Sequence, residues 1–224
     1  MAQPANVSTI LLHNVPLFAG LDEAQLGVLV RTVVRKSFRR NVNIIGAGDP
    51  TDSLYIIIDG RVKVMMCDEQ GREVILSILG RGEFFGEMGL LDDSPRSASV
   101  VTLEPCELLS ISKIDFKRSL AENFDLSLMV MRGLVKRLRE ADSKIGSLAL
   151  MDVYGRVARL LLEMAEDVDG EKIVVKKVSK QDIAKMIGAS REMVSRVMKD
   201  LQLGGYIEVR GRSLVLRDNI LVAE

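Results

Sequence analysis

The chain has 224 residues, 47% of them hydrophobic, and its 31 basic and 31 acidic residues cancel to a formal net charge of zero, an ordinary globular composition that excludes wholesale disorder. No run approaches the ~20 apolar residues of a membrane-spanning helix, and no basic cluster followed by an apolar stretch marks a secretory signal. Two cysteines are too few for a disulfide framework or a four-thiolate cluster site, and one histidine near an end of the chain excludes a three-histidine zinc site or a serine–histidine triad in its body. Together these absences predict a cytoplasmic protein with no membrane partner.

Helix and turn are predicted for the first residues, 1 to about 38. Apolar residues three and four apart between Leu21 and Val30 indicate a helix, and Asp22 suits its N-cap. From Arg39 to Ser112 the pattern changes to short strands separated by turn residues. Asp59-Gly60 between two β-rich runs is a hairpin signal. Many short strands with regular turns imply an antiparallel sandwich or barrel.

A helical stretch is predicted next, from about Ile114 to Leu150. Its apolar seam has spacings of 3, 4, 3, 4 and 3 and consists of Met131, Leu134, Leu138, Ala141, Ile145 and Leu148. A helix that only covers its own domain has a broader apolar stripe. The seam therefore favours self-association through a parallel coiled coil over packing within the domain.

The second domain begins at about Met151, with a helix over 153–165, an acidic loop over 166–171 and a short strand after it. The segment from Lys172 to Arg217 holds eleven Lys and Arg against four Asp and Glu, a local excess of +7. A basic segment is one footprint of nucleic-acid binding, although charge alone fits a solvated surface equally well.

The densest chemical signal lies between Phe84 and Val100. A glycine-rich turn at Gly86 brings backbone N–H groups near a ligand, the Glu87 carboxylate accepts from a sugar hydroxyl, and the planar fork of Arg96 suits a phosphate. This set fits a ligand with a phosphate and a ribose hydroxyl close together. The spacing also fits a glycine-rich loop with a structural Arg–Glu salt bridge.

A second motif lies between Val178 and Leu201. Ser179 and Ser190 suit the N-caps of two helices, and Gly188 suits the tight turn between them. The apolar spacing of the second helix leaves five polar residues exposed, namely Arg191, Glu192, Ser195, Arg196 and Lys199. This is the pattern of a helix-turn-helix with a recognition helix, the alternative being an ordinary helical hairpin. Strands 206–209 and 213–216 then flank a basic tip that contains Arg210 and Arg212, a wing suited to backbone phosphates.

The segment at 84–100 resembles the phosphate-binding cassette of cyclic-nucleotide-binding domains. Nearly the whole chain resembles the bacterial cyclic-AMP receptor protein/fumarate-nitrate-reduction regulator (Crp/Fnr) superfamily of transcription factors. The resemblance implies that Gly86 and Met88 offer backbone contacts, that Glu87 takes the ribose 2′-hydroxyl and that Arg137 supports this glutamate. By the same resemblance Arg96 and Ser97 hold the cyclic phosphate.

One departure from the family concerns the base. In the family's cyclic-AMP receptor proteins a Thr-Ser pair on the long helix contacts the purine across the dimer, and the matching positions here are Ala141 and Asp142. A carboxylate only accepts hydrogen bonds, so an adenine amino group donates to Asp142 once and a guanine edge twice. Cyclic AMP is the expected ligand, with cyclic GMP or another cyclic nucleotide as alternatives. Two further alternatives are open: Asp142 is a solvated helix charge, or a shift of the helix register lets Ser143 replace the lost hydroxyl.

The resemblance also implies roles in DNA binding. Arg191, Glu192 and Arg196 match the base readers of a TGTGA-like half-site repeated as a palindrome in double-stranded DNA. Further contacts to phosphates or flanking bases are implied for Lys180, Gln181, Ser190 and Lys199. Ser195, on the exposed face of the recognition helix, is also predicted to bind DNA. RNA polymerase is an expected partner, although the segment 166–171, which matches a polymerase-contacting loop, is shorter here and acidic.

Other signals sensed within the superfamily require residues that this chain lacks. An iron–sulfur sensor needs clustered N-terminal cysteines, and none precedes Cys67; a haem sensor needs an axial histidine in the β-roll, and none lies there. We expect no metal, haem or iron–sulfur cluster, and Cys67 and Cys106 are interpreted as packing residues. No nucleophile–base pair supports an enzyme. Control by cyclic GMP, cyclic di-GMP or redox state, or control without a ligand, remains the alternative to cyclic AMP.

The predicted fold is α+β, with a cyclic-nucleotide-binding β-roll of double-stranded β-helix (jelly-roll) type over 1–120. A long dimerisation helix over 121–150 and a winged helix-turn-helix over 151–224 complete the homodimer's subunit. The predicted function is ligand-dependent transcriptional regulation, in which the bound nucleotide repositions the two recognition helices.

Overall fold

The computed structural model describes residues 9–13, 15–175, 178–211, 213–217 and 220. The chain divides into two compact units, Met1–Arg137 and Leu138–Glu224. No helix in the described ranges combines the length and the apolar character that crossing a membrane requires.

The first unit opens with short helices, α1 (Thr9–His13), a single 3-10 turn (Pro16–Phe18) and α2 (Glu23–Val30). Asp22 caps α2 as predicted, because its carboxylate accepts from the backbone N–H of Gln25 at 2.8 Å while the Gln25 side chain accepts from the N–H of Asp22 at 2.8 Å. This reciprocal capping box satisfies two of the helix's otherwise unpaired donors.

Eight strands follow, arranged in two four-stranded antiparallel sheets of order β1-β8-β3-β6 and β2-β7-β4-β5. This order confirms the predicted jelly-roll type of β-roll. The strands are β1 (Val33–Phe38), β2 (Asn43–Ile45), β3 (Ser53–Asp59), β4 (Val62–Cys67), β5 (Glu73–Leu79), β6 (Phe84–Phe85), β7 (Ser99–Thr102) and β8 (Cys106–Ser112).

Strand β3 is buried on both faces. Leu54 and Ile56 belong to the core between the first sheet and the helices, whereas Tyr55 and Ile57 belong to the core between the two sheets. Alternate residues of a strand point to opposite faces, so one strand joins the two cores. At its end Gly60 (φ +88°) turns the chain toward β4, and a Cβ there would lie 2.4 Å from the carbonyl oxygen of Pro105. The hairpin predicted at Asp59-Gly60 is wrong, because β3 pairs with β6 and β8 whereas β4 pairs with β5 and β7, so this turn connects the two sheets.

The predicted helical stretch over 114–150 forms as two helices, α4 (Lys113–Glu122) and α5 (Phe124–Leu150). Asn123 between them is extended and buried, and its side-chain oxygen accepts from the backbone N–H of Leu126 at 2.9 Å. An amide side chain that satisfies a first-turn donor starts a new helix. This explains why the helical stretch is interrupted at Asn123.

The second unit contains the C-terminal part of α5 and a sheet of order β11-β12-β10-β9. Its elements after α5 are α6 (Val153–Met164), β9 (Glu166–Val168), β10 (Glu171–Val174), α7 (Lys180–Ile187), α8 (Arg191–Leu203), β11 (Ile207–Arg210) and β12 (Ser213–Leu216). The predicted acidic loop is in fact a hairpin. Asp169 (φ 53°) and Gly170 (φ 80°) form its two-residue turn, and two consecutive positive φ values suit the tight turn of a β-hairpin.

The helix-turn-helix forms as predicted. Ser179 and Ser190 cap α7 and α8, accepting from Asp182 N at 3.0 Å and Met193 N at 3.2 Å, and Gly188 adopts the left-handed conformation between the helices (φ 64°). The predicted apolar residues of α8 are buried in the core of the unit: Val194, Val197, Met198 and Leu201.

Candidate ligand and nucleic-acid sites

The predicted phosphate cassette is a turn that runs from β6 into the short helix α3 (Met88–Leu91). Gly86 has φ +85°, and a Cβ there would lie 2.4 Å from Nη1 of Arg96. Both the left-handed backbone and the close approach of the guanidinium require glycine at this position.

Arg96 is buried, with 6% of its surface exposed. Its Nη1 donates to the carbonyl oxygen of Gly86 at 2.8 Å, and its Nη2 donates to the carbonyl oxygen of Ser53 at 2.7 Å and to Asp52 Oδ1 at 3.2 Å. The carboxylate beside Arg96 is therefore Asp52 and not Glu87. The Ser53 hydroxyl, which donates to Asp52 at 2.8 Å, and the charge of Arg96 hold the pKa of Asp52 below its ordinary value.

Glu87 is 1% exposed, and its two carboxylate oxygens have different surroundings. Oε1 accepts from Nη1 of Arg137 at 2.5 Å, whereas Oε2 has no hydrogen-bond partner among the described residues. Buried polar atoms are almost always paired, and a carboxylate oxygen accepts only. The cassette therefore presents a buried acceptor suited to a donor such as a hydroxyl.

Arg137 links helix α5 to the cassette. Besides Glu87, its guanidinium donates to the carbonyl oxygen of Phe84 and lies 4.9 Å from the centre of that ring. Gly133, one turn earlier, allows this approach, since a Cβ there would lie 2.9 Å from Cζ of Phe84. The long helix thus contributes directly to the charge balance around Glu87.

The predicted ligand residues fall into two sets. Six lie in the first unit, on the cassette or beside it: Gly86, Glu87, Met88, Arg96, Ser97 and Arg137. Met88 is 52% exposed, and the Ser97 hydroxyl lies 3.7 Å from its sulfur. Asp142 is exposed and belongs to the second unit. There the hydroxyl of Ser143, considered as a replacement ligand, accepts from Arg159.

Asp52 and Ser53 complete the cassette from outside the predicted segment, and the contact of Phe84 with Arg137 lies within that segment but is not predicted from the sequence. Asp52 precedes Arg96 by 44 residues, and only the pairing of the strands brings the two together. Asp93 fixes the far end of the cassette, because it contacts Lys113 Nζ at 2.7 Å and Lys117 Nζ at 2.8 Å on α4. Hydrogen bonds from these two lysines lower the pKa of Asp93 to about 2.

The predicted polar residues of the helix-turn-helix lie at its surface. Ser195 is half-buried, and the others are exposed: Lys180, Gln181, Ser190, Arg191, Glu192, Arg196 and Lys199. Three of these residues are the base-reading candidates, Arg191, Glu192 and Arg196. Their side chains form no hydrogen bond or ion pair with another described residue. They are available to a groove of DNA.

Arg210, at the predicted basic tip of the wing, is paired with two carboxylates. Arg210 donates from Nε to Glu208 Oε1 at 2.9 Å and from Nη1 to Glu171 Oε2 at 2.6 Å. The two carboxylates raise the pKa of Arg210, and Arg210 and Arg217 lower that of Glu208. Arg212, the other predicted wing contact, lies outside the described residues.

The two cysteines differ in their exposure to solvent. Cys106 is buried, and burial raises its pKa, whereas Cys67 is exposed, so the interpretation of Cys67 as a packing residue is wrong. Across the described part of the chain, no group of three or more His, Cys, Asp and Glu side chains is arranged to hold a metal ion.

Comparison with known families finds one matching domain in the N-terminal part of the chain and another in the C-terminal part. Residues 35–123 match the cyclic nucleotide-binding domain, and residues 155–219 match the Crp-like helix-turn-helix domain. A sensor of this class joined to a helix-turn-helix defines a ligand-responsive DNA-binding regulator.

Individual relatives match over most of their length. The chain is 30% identical over 213 residues to the CRP-like cAMP-activated global transcriptional regulator of Mycobacterium tuberculosis, covering 93% of this chain and 95% of the relative. It is 36% identical over 192 residues to the cAMP-activated global transcriptional regulator Vfr of Pseudomonas aeruginosa, covering 81% and 88%. The solved structure of the c-di-GMP responsive global regulator CLP of Xanthomonas campestris is similar with a TM-score of 0.74 and 31% identity, covering 87% and 99%.

The chain belongs to the Crp/Fnr superfamily of transcription factors and is one of its cyclic-nucleotide-responsive, CRP-like regulators. The predicted family, its α+β fold and its role as a DNA-binding transcriptional regulator are thereby confirmed.

Proposed function

We propose that the chain is a cytoplasmic, homodimeric regulator that binds cyclic AMP in residues 1–120, dimerises through 121–150 and reads palindromic DNA with 151–224. The observation that carries the proposal is the buried Glu87 carboxylate, whose Oε2 has no partner among the described residues. A ribose 2′-hydroxyl supplies the donor that this oxygen needs. No catalytic step, metal, haem or iron–sulfur cluster is part of the proposal.

The phosphate of the nucleotide is assigned to Arg96 and Ser97, with backbone contacts from Gly86 and Met88. The Nε–H and one Nη1–H of Arg96 make no hydrogen bond within the described residues, so the guanidinium keeps donors for a phosphate. A buried, charge-assisted pair of this kind is stronger than a neutral hydrogen bond.

Coupling to DNA runs through the long helix in this proposal. The ligand hydroxyl and Arg137 share the Glu87 carboxylate, so occupancy of the cassette alters the electrostatic balance at α5. Better binding to one helix arrangement shifts the population of the dimer toward it, which sets the two recognition helices about one DNA turn, ~34 Å, apart. A shift from mostly inactive to mostly active needs about 5.5 kcal/mol of differential affinity.

Dimerisation is proposed through the apolar seam of α5. The side chains of Met131, Leu138 and Ile145 are 48%, 63% and 64% exposed in the single chain, and a second copy of the helix would cover them. Leu134 is an exception to the predicted seam, because it packs against the core of the first unit.

For DNA, Arg191, Glu192 and Arg196 are the proposed base readers of a TGTGA-like half-site. The proposed phosphate and flanking contacts are Lys180, Gln181, Ser190, Ser195, Lys199, Arg210 and Arg212. RNA polymerase is the proposed protein partner.

Calorimetric titration of the full chain with cyclic AMP, cyclic GMP and cyclic di-GMP tests the proposal. Binding of cyclic AMP, with tighter binding to a TGTGA palindrome in its presence, is expected. Arg96→Leu should abolish both effects, because it removes the phosphate fork. Absence of heat with all three nucleotides, or DNA binding that ignores them, would contradict ligand control.

A second candidate, control by another cyclic nucleotide, is favoured by Asp142. Its exposed carboxylate accepts two donors from a guanine edge and one from adenine, and the relative from Xanthomonas campestris is described as c-di-GMP responsive. Tighter binding of cyclic GMP than of cyclic AMP, reversed in Asp142→Thr, would favour this candidate. Redox control would instead alter DNA binding on oxidation without any nucleotide, and an enzyme would hydrolyse the nucleotide.

A further inference from the structure

Four charged side chains of the second unit form one cluster on the wing sheet: Glu171, Glu208, Arg210 and Arg217. Arg210 grips Glu208 with two parallel hydrogen bonds, from Nε to Oε1 at 2.9 Å and from Nη2 to Oε2 at 3.1 Å, and reaches Glu171 with Nη1 at 2.6 Å. Arg217 closes the ring, with Nη2 at 2.6 Å from Glu208 Oε2 and Nη1 at 3.6 Å from Glu171 Oε1.

The strand register brings the four side chains together. Leu216 of β12 pairs with Lys172 on one side and with Ile207 on the other. The next residue, Arg217, is therefore opposite Glu171 and diagonal to Glu208, within reach of long side chains. Glu208 and Arg210 are two apart on β11 and share a face.

The charges of this cluster cancel, since two arginines meet two glutamates. A bidentate carboxylate makes the same use of an arginine fork as a phosphate does. The Arg210 fork is thus already occupied, and a DNA phosphate has to share it with Glu208 or displace that carboxylate. The side chains are 36–46% exposed, so displacement by a solvent-borne anion is sterically open.

We propose that Glu208 and Glu171 limit the affinity of the wing for DNA phosphates by occupying Arg210. This inference rests on the proposed phosphate contact of Arg210. The limit acts on sequence-independent binding, because phosphate contacts carry no base information. Base recognition by α8 then contributes a larger share of the total binding free energy.

The test measures DNA affinity of the full chain against salt concentration, on the TGTGA palindrome and on a scrambled duplex, for Glu208→Gln. The variant is expected to bind both duplexes more tightly and to steepen the plot of log affinity against log salt by about 0.9, the value for one added phosphate contact. Its affinity should fall about 3.5-fold more than that of the wild type between 50 and 200 mM salt. Glu166→Gln is the matched control, since it removes the same charge from the exposed strand β9.

Two further variants separate the inference from the proposed function. Glu208→Gln/Arg210→Gln should return the salt slope to about the wild-type value, because Arg210 is the group released. If Arg210→Gln lowers the slope while Glu208→Gln leaves it unchanged, Arg210 contacts phosphate freely and the inference fails alone. If neither variant changes the slope, the wing contact of the proposed function fails as well. If Glu166→Gln steepens the slope equally, the effect comes from the overall charge of the protein, and the inference is overturned.

Discussion

Arg137 Nη1 lies 2.5 Å from Glu87 Oε1, so the long helix and the phosphate cassette share one buried carboxylate. The other oxygen of that carboxylate has no partner among the described residues. One side chain can therefore be held by the helix and still accept from a ligand. This arrangement explains how a small molecule at the cassette could be sensed at α5.

Glu87→Gln should weaken binding of the nucleotide by about 10- to 100-fold. The substitution replaces a charged acceptor, whose hydrogen bonds are worth about 1.5–3 kcal/mol, with a neutral amide. Calorimetric titration with the nucleotide measures the loss. Glu69→Gln, at the exposed turn between β4 and β5, is the control and should bind normally. Unchanged affinity in Glu87→Gln would rule out a ribose contact at this carboxylate.

Gly133→Ala and Gly146→Ala should have opposite effects on the free energy of unfolding. Alanine favours a helix over glycine by about 0.5–1 kcal/mol, and a Cβ at Gly146 meets nothing within 4 Å, so that variant should be stabilised by this amount. At Gly133 the Cβ lies 2.9 Å from Cζ of Phe84, and overpacking by about 1–3 kcal/mol should outweigh the gain. Urea denaturation at one protein concentration measures both, and equal stabilisation would contradict the close packing of α5 on Phe84.

Asp93→Asn should remove a contribution to stability that depends on acid pH. Because Lys113 and Lys117 lower the pKa of Asp93 from 3.8 to about 2 in the folded chain, the ionised form stabilises the fold above about pH 4, and this contribution is lost as the pH falls toward 2. Asparagine tolerates the positive φ of 59°, so the variant removes the charge and one acceptor oxygen without straining the backbone.

The stability difference between wild type and Asp93→Asn, from thermal melts, is thus expected to be constant near neutral pH and to shrink below pH 4. Asp169→Asn is the control, since Asp169 has a similar φ of 53° on the β9–β10 turn. A difference that stays the same down to pH 2 would show that the lysine contacts contribute nothing.

Arg191→Ala should cost about 1–3 kcal/mol on the TGTGA palindrome and relax the preference at one base position. Arginine at the start of a recognition helix reads the O6 and N7 acceptors of guanine. Fluorescence anisotropy with single-base variants of the site measures the preference. Lys199→Ala is the comparison, and it should weaken binding to all sequences alike. An equal loss on random DNA would make Arg191 a phosphate contact.

Local signals account for the features that were predicted correctly. Ser179, Gly188 and Ser190 predicted the helix-turn-helix correctly, because caps and tight turns depend on residues within one or two turns of the chain. Asp59-Gly60 predicted a hairpin wrongly, because a turn signal does not specify whether the next strand pairs with the previous one or joins the other sheet. The same dipeptide signal at Asp169-Gly170, within the predicted acidic loop, does form a hairpin.

Features that depend on distant pairing were not predictable from spacing. The contact of Asp52 with Arg96 spans 44 residues and exists because strand pairing aligns the two segments. The ring of charges around Arg210 likewise depends on the register of three strands. Leu134 fits the heptad pattern but packs against the first core, since a periodic pattern does not specify which surface covers it.

The position of Arg137 at the end of the first unit has a consequence for chimeric regulators. A chimera that takes its residues up to Arg137 from this chain would contain the cassette, Glu87 and its helix partner. The proposed contacts to phosphate and ribose would therefore be transferred together. Asp142 would not be transferred, and the recipient's helix would supply the residue at that position. Under the proposed function, such a chimera would take its phosphate and ribose contacts from this chain and its base contact from the recipient. Joining the same first unit to different recipients would then change which nucleotide is preferred and keep the contacts to phosphate and ribose.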